Sequence, residues 1–151
     1  MARATKRQSI VKAIAEQLKA IDGSGEWITN LHNNVFPRMI FLDEVDDFPT
    51  VCLYAGTELR EYQTGGFAWR FVDVTIIIYI SNQEDPADLL EQTIADIEDR
   101  INEVETLTYV ENAAAGSNQV VEMKLTSIST DQGAFARDGL AVGEITLEVR
   151  Y

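Results

Sequence analysis

The sequence predicts an α+β fold, with two main helices packed on one face of a mostly antiparallel sheet of about four to five strands that includes a long β-hairpin. The chain carries about five extended segments but only two amphipathic helices. Successive side chains of a strand point to opposite faces. In the longest predicted strand, residues 70–80, apolar residues therefore occur on both faces. Two helices hide one face only, so we expect a neighbouring subunit to cover the other. One face carries Val72, Val74, Ile76, Ile78 and Ile80, and the other carries Phe71, Ile77 and Tyr79.

Composition excludes several classes of protein. The length of 151 residues fits one domain, residues 1–151. The formal net charge of −13 argues against specific nucleic-acid binding, which needs clustered basic residues. A single cysteine cannot form an intramolecular disulfide, and no secretory signal or membrane-spanning run is evident. We therefore expect a soluble, intracellularly made protein with no membrane partner.

The first helix is predicted over residues 5–21. Its apolar residues form one stripe, and Gly23 and Gly25 end it. This segment is basic although the rest of the chain is acidic, a polarity that is either a solvated tail or a means of fixing which surfaces meet between subunits. The stripe is Ile10, Ile14, Leu18 and Ile21, and the charges up to residue 19 are Arg3, Lys6, Arg7, Lys12 and Lys19 against Glu16.

A connector, residues 27–34, precedes a first extended segment at residues 35–42, which Pro37 confines to a sheet edge or to its own beginning. Residues 50–55 are predicted as a second strand. A long connection, residues 56–66, then joins it to the long strand as an antiparallel hairpin. Gly65 and Gly66 allow backbone angles there that other residues avoid.

The second helix begins with Asp85 as an N-cap and Pro86 at the first helical position. Its buried stripe is predicted to face the sheet and its acidic face to meet solvent. The stripe is Leu90, Ile94, Ile97, Ile101 and Val104, and the outward acids are Glu91, Asp96, Glu98, Asp99 and Glu103 with Arg100 among them.

The remaining chain predicts a short extended piece at residues 106–110 and a small-residue loop at 112–118. Two strands follow, residues 120–128 and about 140–151. The last strand alternates core and polar positions, so one of its faces should be buried. The loop between them, residues 129–139, contains Phe135.

A search for chemistry finds few parts. His32 lies in an Asn-rich connector and is expected to cap or turn the chain, while Cys52 lies in an apolar run and is expected to be a buried thiol. The acidic stretch at residues 43–47 lacks the ligand spacing and central glycine of a calcium loop, so we predict that its charged side chains are solvated. We therefore expect no catalytic residue, no metal site and no cofactor.

Loop-borne aromatic residues favour an interface. Each is more often a core residue when taken alone, but together with an under-covered sheet they indicate assembly with other subunits. They are Trp27, Tyr62, Phe67, Trp69 and Phe135.

The layout resembles the tail terminator, or tail-completion, proteins of bacteriophages with long, non-contractile tails. The resemblance covers nearly the whole chain in order, and no single motif is diagnostic. It is carried by four stretches: SIVKAIAEQL, NLHNNVFPRMIFLDEVDDFPTVCLYAGTE, GGFAWRFVDVTIIIYI and SISTDQGAFARDGLAVGEITLEVRY.

The resemblance implies a structural virion protein, not an enzyme, that forms a hexameric ring on the finished tail tube. Such a ring ends tube polymerisation and offers the surface to which the filled head docks. Its partners would be other copies of itself, the tail tube protein and a head-completion or neck protein. It would be made in the host cytoplasm and located at the head-proximal end of the tail.

By the same analogy, the hairpin at residues 57–67 is a candidate contact with another subunit or the tube, and the basic first helix a candidate contact with an acidic surface. Two alternatives stay open: another neck or head-completion (connector) protein, and a small enzyme or ligand-binding domain. The candidate interface residues are Tyr62, Gly65, Gly66, Phe67, Trp69, Phe135, Arg3, Lys6 and Arg7.

Overall fold

A computed structural model describes residues 5–82, 84–104, 107–112, 116–131 and 139–151. Helix α1 spans Lys6–Leu18 and helix α2 spans Pro86–Glu103, with a 3-10 turn at Leu42–Glu44. A five-stranded sheet has the order β1-β2-β3-β7-β6, and β4 and β5 form a small two-stranded sheet. The α+β prediction is confirmed. The strands are β1 Val35–Phe36, β2 Thr50–Tyr62, β3 Ala68–Ser81, β4 Thr108–Asn112, β5 Gly116–Gln119, β6 Glu122–Asp131 and β7 Leu140–Arg150.

The main core lies between the large sheet and both helices. The alternate residues of β3 from Val72 to Ile80 are fully buried there, as predicted, and each contributes about 1.5–3 kcal/mol by leaving water. α2 packs closely on β7 at Gly143, where a Cβ atom would lie 2.8 Å from Cδ1 of Leu90. A glycine there brings the helix close to the sheet.

The second face of the sheet differs from the prediction. The chain itself covers Ile77 and Tyr79, because residues 36–48 fold back over them, and the Tyr79 hydroxyl donates a hydrogen bond to the Ile40 carbonyl at 2.7 Å. Further along β3 this face turns polar at Asp73 and Thr75. The expectation that a neighbouring subunit covers this face is therefore wrong for Ile77 and Tyr79, because an irregular segment without periodicity covers them, whereas Phe71 on the same face lies outside both core clusters.

Cys52 belongs to this second cluster and is fully buried, as expected. Burial raises the pKa of its thiol, which therefore stays protonated.

Several element boundaries also differ. α1 ends at Leu18, although Ile21 beyond it is still buried, and the first extended segment shrinks to the two residues of β1. The 112–118 loop is partly strand, because Gly116–Gln119 pairs with Thr108–Asn112. β6 begins at Glu122 and continues to Asp131, into the predicted loop.

The predicted 56–66 connection is the largest boundary error. β2 runs on to Tyr62, and a β-bulge between Ala55 and Glu58 shifts its pairing with β3. The bulge moves side chains to the other face, so apolar alternation breaks although the strand continues. The antiparallel pairing itself is confirmed.

α2 begins as predicted, with the Asp85 carboxylate accepting from the Asp88 amide and Pro86 at the start. The solvent-facing assignment of Asp96 is wrong. Its side chain is only 2% exposed and accepts hydrogen bonds from the Ile28 and Thr29 amides and from the Thr29 hydroxyl. Asp96 thereby attaches the connector to α2.

The two helices are joined at the end of α1. Arg100 donates from Nε to the Gln17 carbonyl at 3.0 Å and from a terminal nitrogen to the Gln17 amide oxygen at 2.6 Å. His32 Nδ1 lies 2.8 Å from the Lys19 carbonyl, so that nitrogen carries the proton and donates to a helix-end carbonyl. The predicted capping role of His32 is confirmed.

No helix in the described part of the chain is both long and apolar enough to cross a membrane.

Candidate assembly surface

The β2–β3 hairpin extends beyond the packed body. Burial falls off along β2 until its last residues are exposed, and Gln63 N donates to the Phe67 carbonyl at 2.9 Å to close the turn. Gly65 and Gly66 adopt φ angles of 100° and 88°, the left-handed region that favours glycine, as predicted. Tyr62 and Phe67 are 76% and 52% exposed. The tip therefore presents two large aromatic side chains to solvent.

The inner face of this hairpin forms a groove of about 360 Å³ with the start of α1 and the end of the chain. Arg60 and Arg70 are directly opposite each other in the strand pairing, and Lys6 reaches the same space from α1. We call this the basic groove. Its lining residues are Lys6, Arg60, Tyr62, Gly66, Phe67, Ala68, Arg70 and Tyr151.

Glu58 ties the base of the hairpin to the chain terminus. Its carboxylate accepts from the Tyr151 hydroxyl and from Arg60 Nε, the latter at 2.8 Å. Burial raises the pKa of Glu58, but the Tyr151 and Arg60 hydrogen bonds lower it by more, and it lies below its ordinary value. Burial and the bond to Glu58 raise the pKa of Tyr151 to about 12. Glu58 is therefore charged and Tyr151 neutral near pH 7.

The outer face of the hairpin carries a stacked set of side chains. Phe67 and Trp69 meet edge to face, with ring centroids 5.6 Å apart, and the Arg150 guanidinium lies 4.6 Å from the Trp69 ring centroid. These contacts hold Trp69 half-buried, so it supports the tip more than it extends from it.

The remaining candidates have four different placements. Lys6 lies in the basic groove, whereas the Arg7 guanidinium is half-buried and donates to the Gly56 carbonyl at the bulge. Arg7 therefore anchors α1 to the hairpin. Trp27 packs against the main core. Arg3 and Phe135 lie outside the described residues.

A second charged surface lies at the opposite end of α1. We call it the acidic patch, and its residues are Glu26, Asp99 and Glu103, all exposed. A hydrogen bond and charge repulsion from Glu103 raise the pKa of Glu26, and Asp99 adds to the repulsion. Arg100 donates to Glu103 at 3.0 Å, but the rest of its guanidinium is directed to Gln17.

The described residues offer little for catalysis. No group of three or more His, Cys, Asp or Glu among them is positioned to hold a metal ion. A depression of about 370 Å³ beside the connector is lined by Asn30, Asn33, Asn34 and Asp47, and His32 lies outside it. Cys52 is sealed in the second cluster.

Sequence reasoning missed several groove residues. The sequence places Arg60 in the predicted connection and Arg70 and Tyr151 in predicted strands, and it marks none of them as an interface residue. The register across the bulge pairs Arg60 with Arg70, and the Tyr151 amide donates to the Arg70 carbonyl at 3.0 Å; the sequence pattern reveals neither pairing.

The fold is thus that of a small α+β protein with an extended hairpin and two oppositely charged surfaces. The family described as Bacteriophage Tail Tube Terminator Protein matches residues 4–151, and the chain belongs to this family. The predicted resemblance is therefore confirmed. The chain is a structural phage tail protein with a tail terminator role.

One curated relative supports this assignment, and one solved structure shares the fold. The chain is 35% identical over 151 residues to the tail tube terminator protein p142 of Escherichia phage T5, covering 96% of this chain and 92% of that protein. It also resembles a chain in the virion of a native gene transfer agent particle, with a TM-score of 0.59, 12% identity and coverage of 94% and 93%. The latter likeness shows a shared fold.

Proposed function

We propose that this protein caps the tail tube as a hexameric ring, ends tube polymerisation and provides the surface to which the head docks. The observation that carries the proposal is the family match across residues 4–151. The protein would lie at the head-proximal end of the tail, after synthesis in the host cytoplasm. It would bind the tail tube protein and a head-completion or neck protein, and it would act as one domain without enzymatic activity.

The hairpin is the proposed contact with a neighbouring copy or with the tube. Its tip presents Tyr62 and Phe67, and exposed aromatic residues on a rigid support are typical of interface anchors. Phe67 packs edge to face on Trp69, and this contact restricts the Phe67 ring, which lowers the entropy lost on binding.

The strong negative net charge is consistent with a subunit that is free before assembly and bound to others afterwards. With a net charge of −13, free copies repel one another, and this repulsion keeps them apart until complementary surfaces meet. The start of α1 is proposed to meet an acidic surface, with the half-buried Lys6 in the basic groove as a contributor.

Electron microscopy of tails made without this protein tests the proposal. We expect tubes of uncontrolled length that do not join heads, and normal tails when the wild-type protein is supplied in trans. A labelled copy should appear at the head-proximal end of isolated tails. Tails of normal length that join heads in its absence would contradict the proposal.

A further inference from the structure

We infer that the basic groove of one copy binds the acidic patch of the next copy, so that neighbours in the ring meet head to tail through opposite charges. This inference rests on the proposed ring and names the two surfaces that form its contact.

The basic groove carries positive charge that its own chain does not fully offset. Arg60 and Arg70 are directly opposite on β2 and β3, and like charges at such positions repel. Glu58 offsets Arg60, but its side chain is largely buried and also bound by Tyr151. Lys6 adds a third cation from α1. The groove therefore favours an anionic partner.

The acidic patch carries an excess of negative charge, which complements the positive charge of the groove. Asp99 and Glu103 lie four residues apart on α2 and are therefore neighbours on one exposed helix face, and a hydrogen bond and charge repulsion from Glu103 raise the pKa of the exposed Glu26 beside them. Arg100 donates one hydrogen bond to Glu103, and it donates two others to Gln17. A cation from outside the chain would relieve this repulsion, since opposite charges at close range attract.

The position of the two surfaces makes the contact intermolecular. α1 has 13 residues and is about 20 Å long at 1.5 Å per residue. Lys6 lies at its first turn, while Gln17 and Arg100 mark its last turn, next to the patch. The two surfaces cannot meet within one copy. A contact between two different surfaces is heterologous, and repeating it generates a ring when the rotation closes.

The other acidic stretch, residues 43–47, is a weaker candidate for the groove. Glu44 lies 4.0 Å from Arg38, and Asp47 accepts from Asn34 and from the Phe48 amide. Glu44 therefore has a cation nearby and Asp47 has two donors in its own chain, whereas Glu26 of the acidic patch is repelled by Glu103 and Asp99.

Charge reversal of each surface, alone and together, tests the contact. The groove variant is Lys6→Glu with Arg70→Glu, and the patch variant is Glu26→Lys with Asp99→Lys. A glutamate at the first helical position suits the helix dipole, and a glutamate at position 70 lies opposite Arg60, so the groove variant should fold. Circular dichroism and thermal melting of both purified variants check the fold.

Each variant is expressed in infections that lack the wild-type protein, and normal-length tails are counted. Because like-charge contacts cost several kcal/mol, either variant alone should lose about tenfold or more of completed tails. Co-expression should restore them, because alternating copies then place each reversed groove against a reversed patch and each unreversed groove against an unreversed patch, so that every contact again joins opposite charges.

Matched controls carry the same change in net charge elsewhere. They are Arg38→Glu with Lys124→Glu, and Asp43→Lys with Asp46→Lys, all at exposed positions, and both should complete tails as the wild type does.

The outcomes separate this inference from the proposed function. If a folded variant completes tails alone, or if co-expression leaves both defective, the groove–patch contact is wrong while the terminator role stands. Rescue of the groove variant by a charge change in the tube protein instead would assign the groove to the tube and overturn the inference. Normal tails in the complete absence of the protein would instead refute the proposed function.

Discussion

At the scale of single residues, the fold depends on a buried carboxylate that the sequence assigned to solvent. Asp96 accepts three hydrogen bonds from the connector, and removing it leaves the buried Thr29 amide and hydroxyl without their acceptor. Asp96→Ala should therefore lower the free energy of unfolding by about 1–3 kcal/mol. Urea unfolding measures this, and Asp99→Asn on the exposed face of the same helix is the control, with a change within about 0.5 kcal/mol. Equal effects of both substitutions would contradict the role of Asp96.

The acidic patch predicts a pH dependence of stability. The pKa of Glu26 is raised in the folded chain, chiefly by Glu103, so its folded state binds a proton more tightly than its unfolded state. Its stabilising contribution is therefore present below the unfolded pKa and lost as pH rises through the folded pKa. Glu26→Gln should raise the Tm of the unassembled protein at pH 7, with the gain shrinking at acidic pH. A gain of equal size at every pH would show that charge repulsion is not its cause.

Residue-level prediction succeeded where the cause is local in sequence. The Asp85 cap and the left-handed Gly65 and Gly66 follow from chemistry within a few residues, whereas the capping role of His32 was predicted from its residue type and its partner, the Lys19 carbonyl, lies 13 residues away. Asp96 failed because it flanks the apolar stripe of α2 at Ile97, and its burial depends on a connector far away in sequence.

At the scale of elements, the hairpin tip should serve assembly and not folding. Tyr62→Ala with Phe67→Ala removes two exposed rings, so the Tm should change little because neither ring is part of a core cluster. Tail completion should fall, since truncation of interface anchors costs at least about 2 kcal/mol each. Counts of normal-length tails measure this.

The matched control for the tip is Ile28→Ala with Phe41→Ala, two side chains that are 61% and 59% exposed elsewhere on the chain. These substitutions remove comparable apolar surface and should leave tail completion unchanged. If they impair it as much as the tip variant, the defect would follow from general loss of surface and the hairpin assignment would fail.

Element existence was more predictable than element extent. Both helices and the antiparallel hairpin follow from periodicity and from short links. The extension of β2 beyond Ala55 could not be predicted from periodicity, because a bulge breaks the alternation that marks a strand. The cover over Ile77 and Tyr79 was also missed, since residues 36–48 pack irregularly and carry no period.

At the scale of the whole molecule, net charge and charge placement predict different responses to substitution. Lys6→Gln and Lys12→Gln each remove one positive charge from α1, but Lys6 lies in the basic groove and Lys12 does not. If only the overall charge governed association, the two would weaken it equally. We expect Lys6→Gln to weaken binding to unfinished tails and Lys12→Gln to have little effect.

Salt sharpens this distinction, because the Debye length falls from about 10 Å at 0.1 M to about 3 Å at 1 M. Screening weakens the attraction between groove and patch but also relieves the repulsion between acidic bodies. If the groove–patch contact dominates, binding of the wild-type protein to tails falls as salt rises, and Lys6→Gln shows a shallower fall because one attractive charge is already absent. Co-sedimentation with isolated unfinished tails measures both slopes. Binding that strengthens with salt, or identical slopes for Lys6→Gln and the wild type, would mean that repulsion between whole subunits controls assembly.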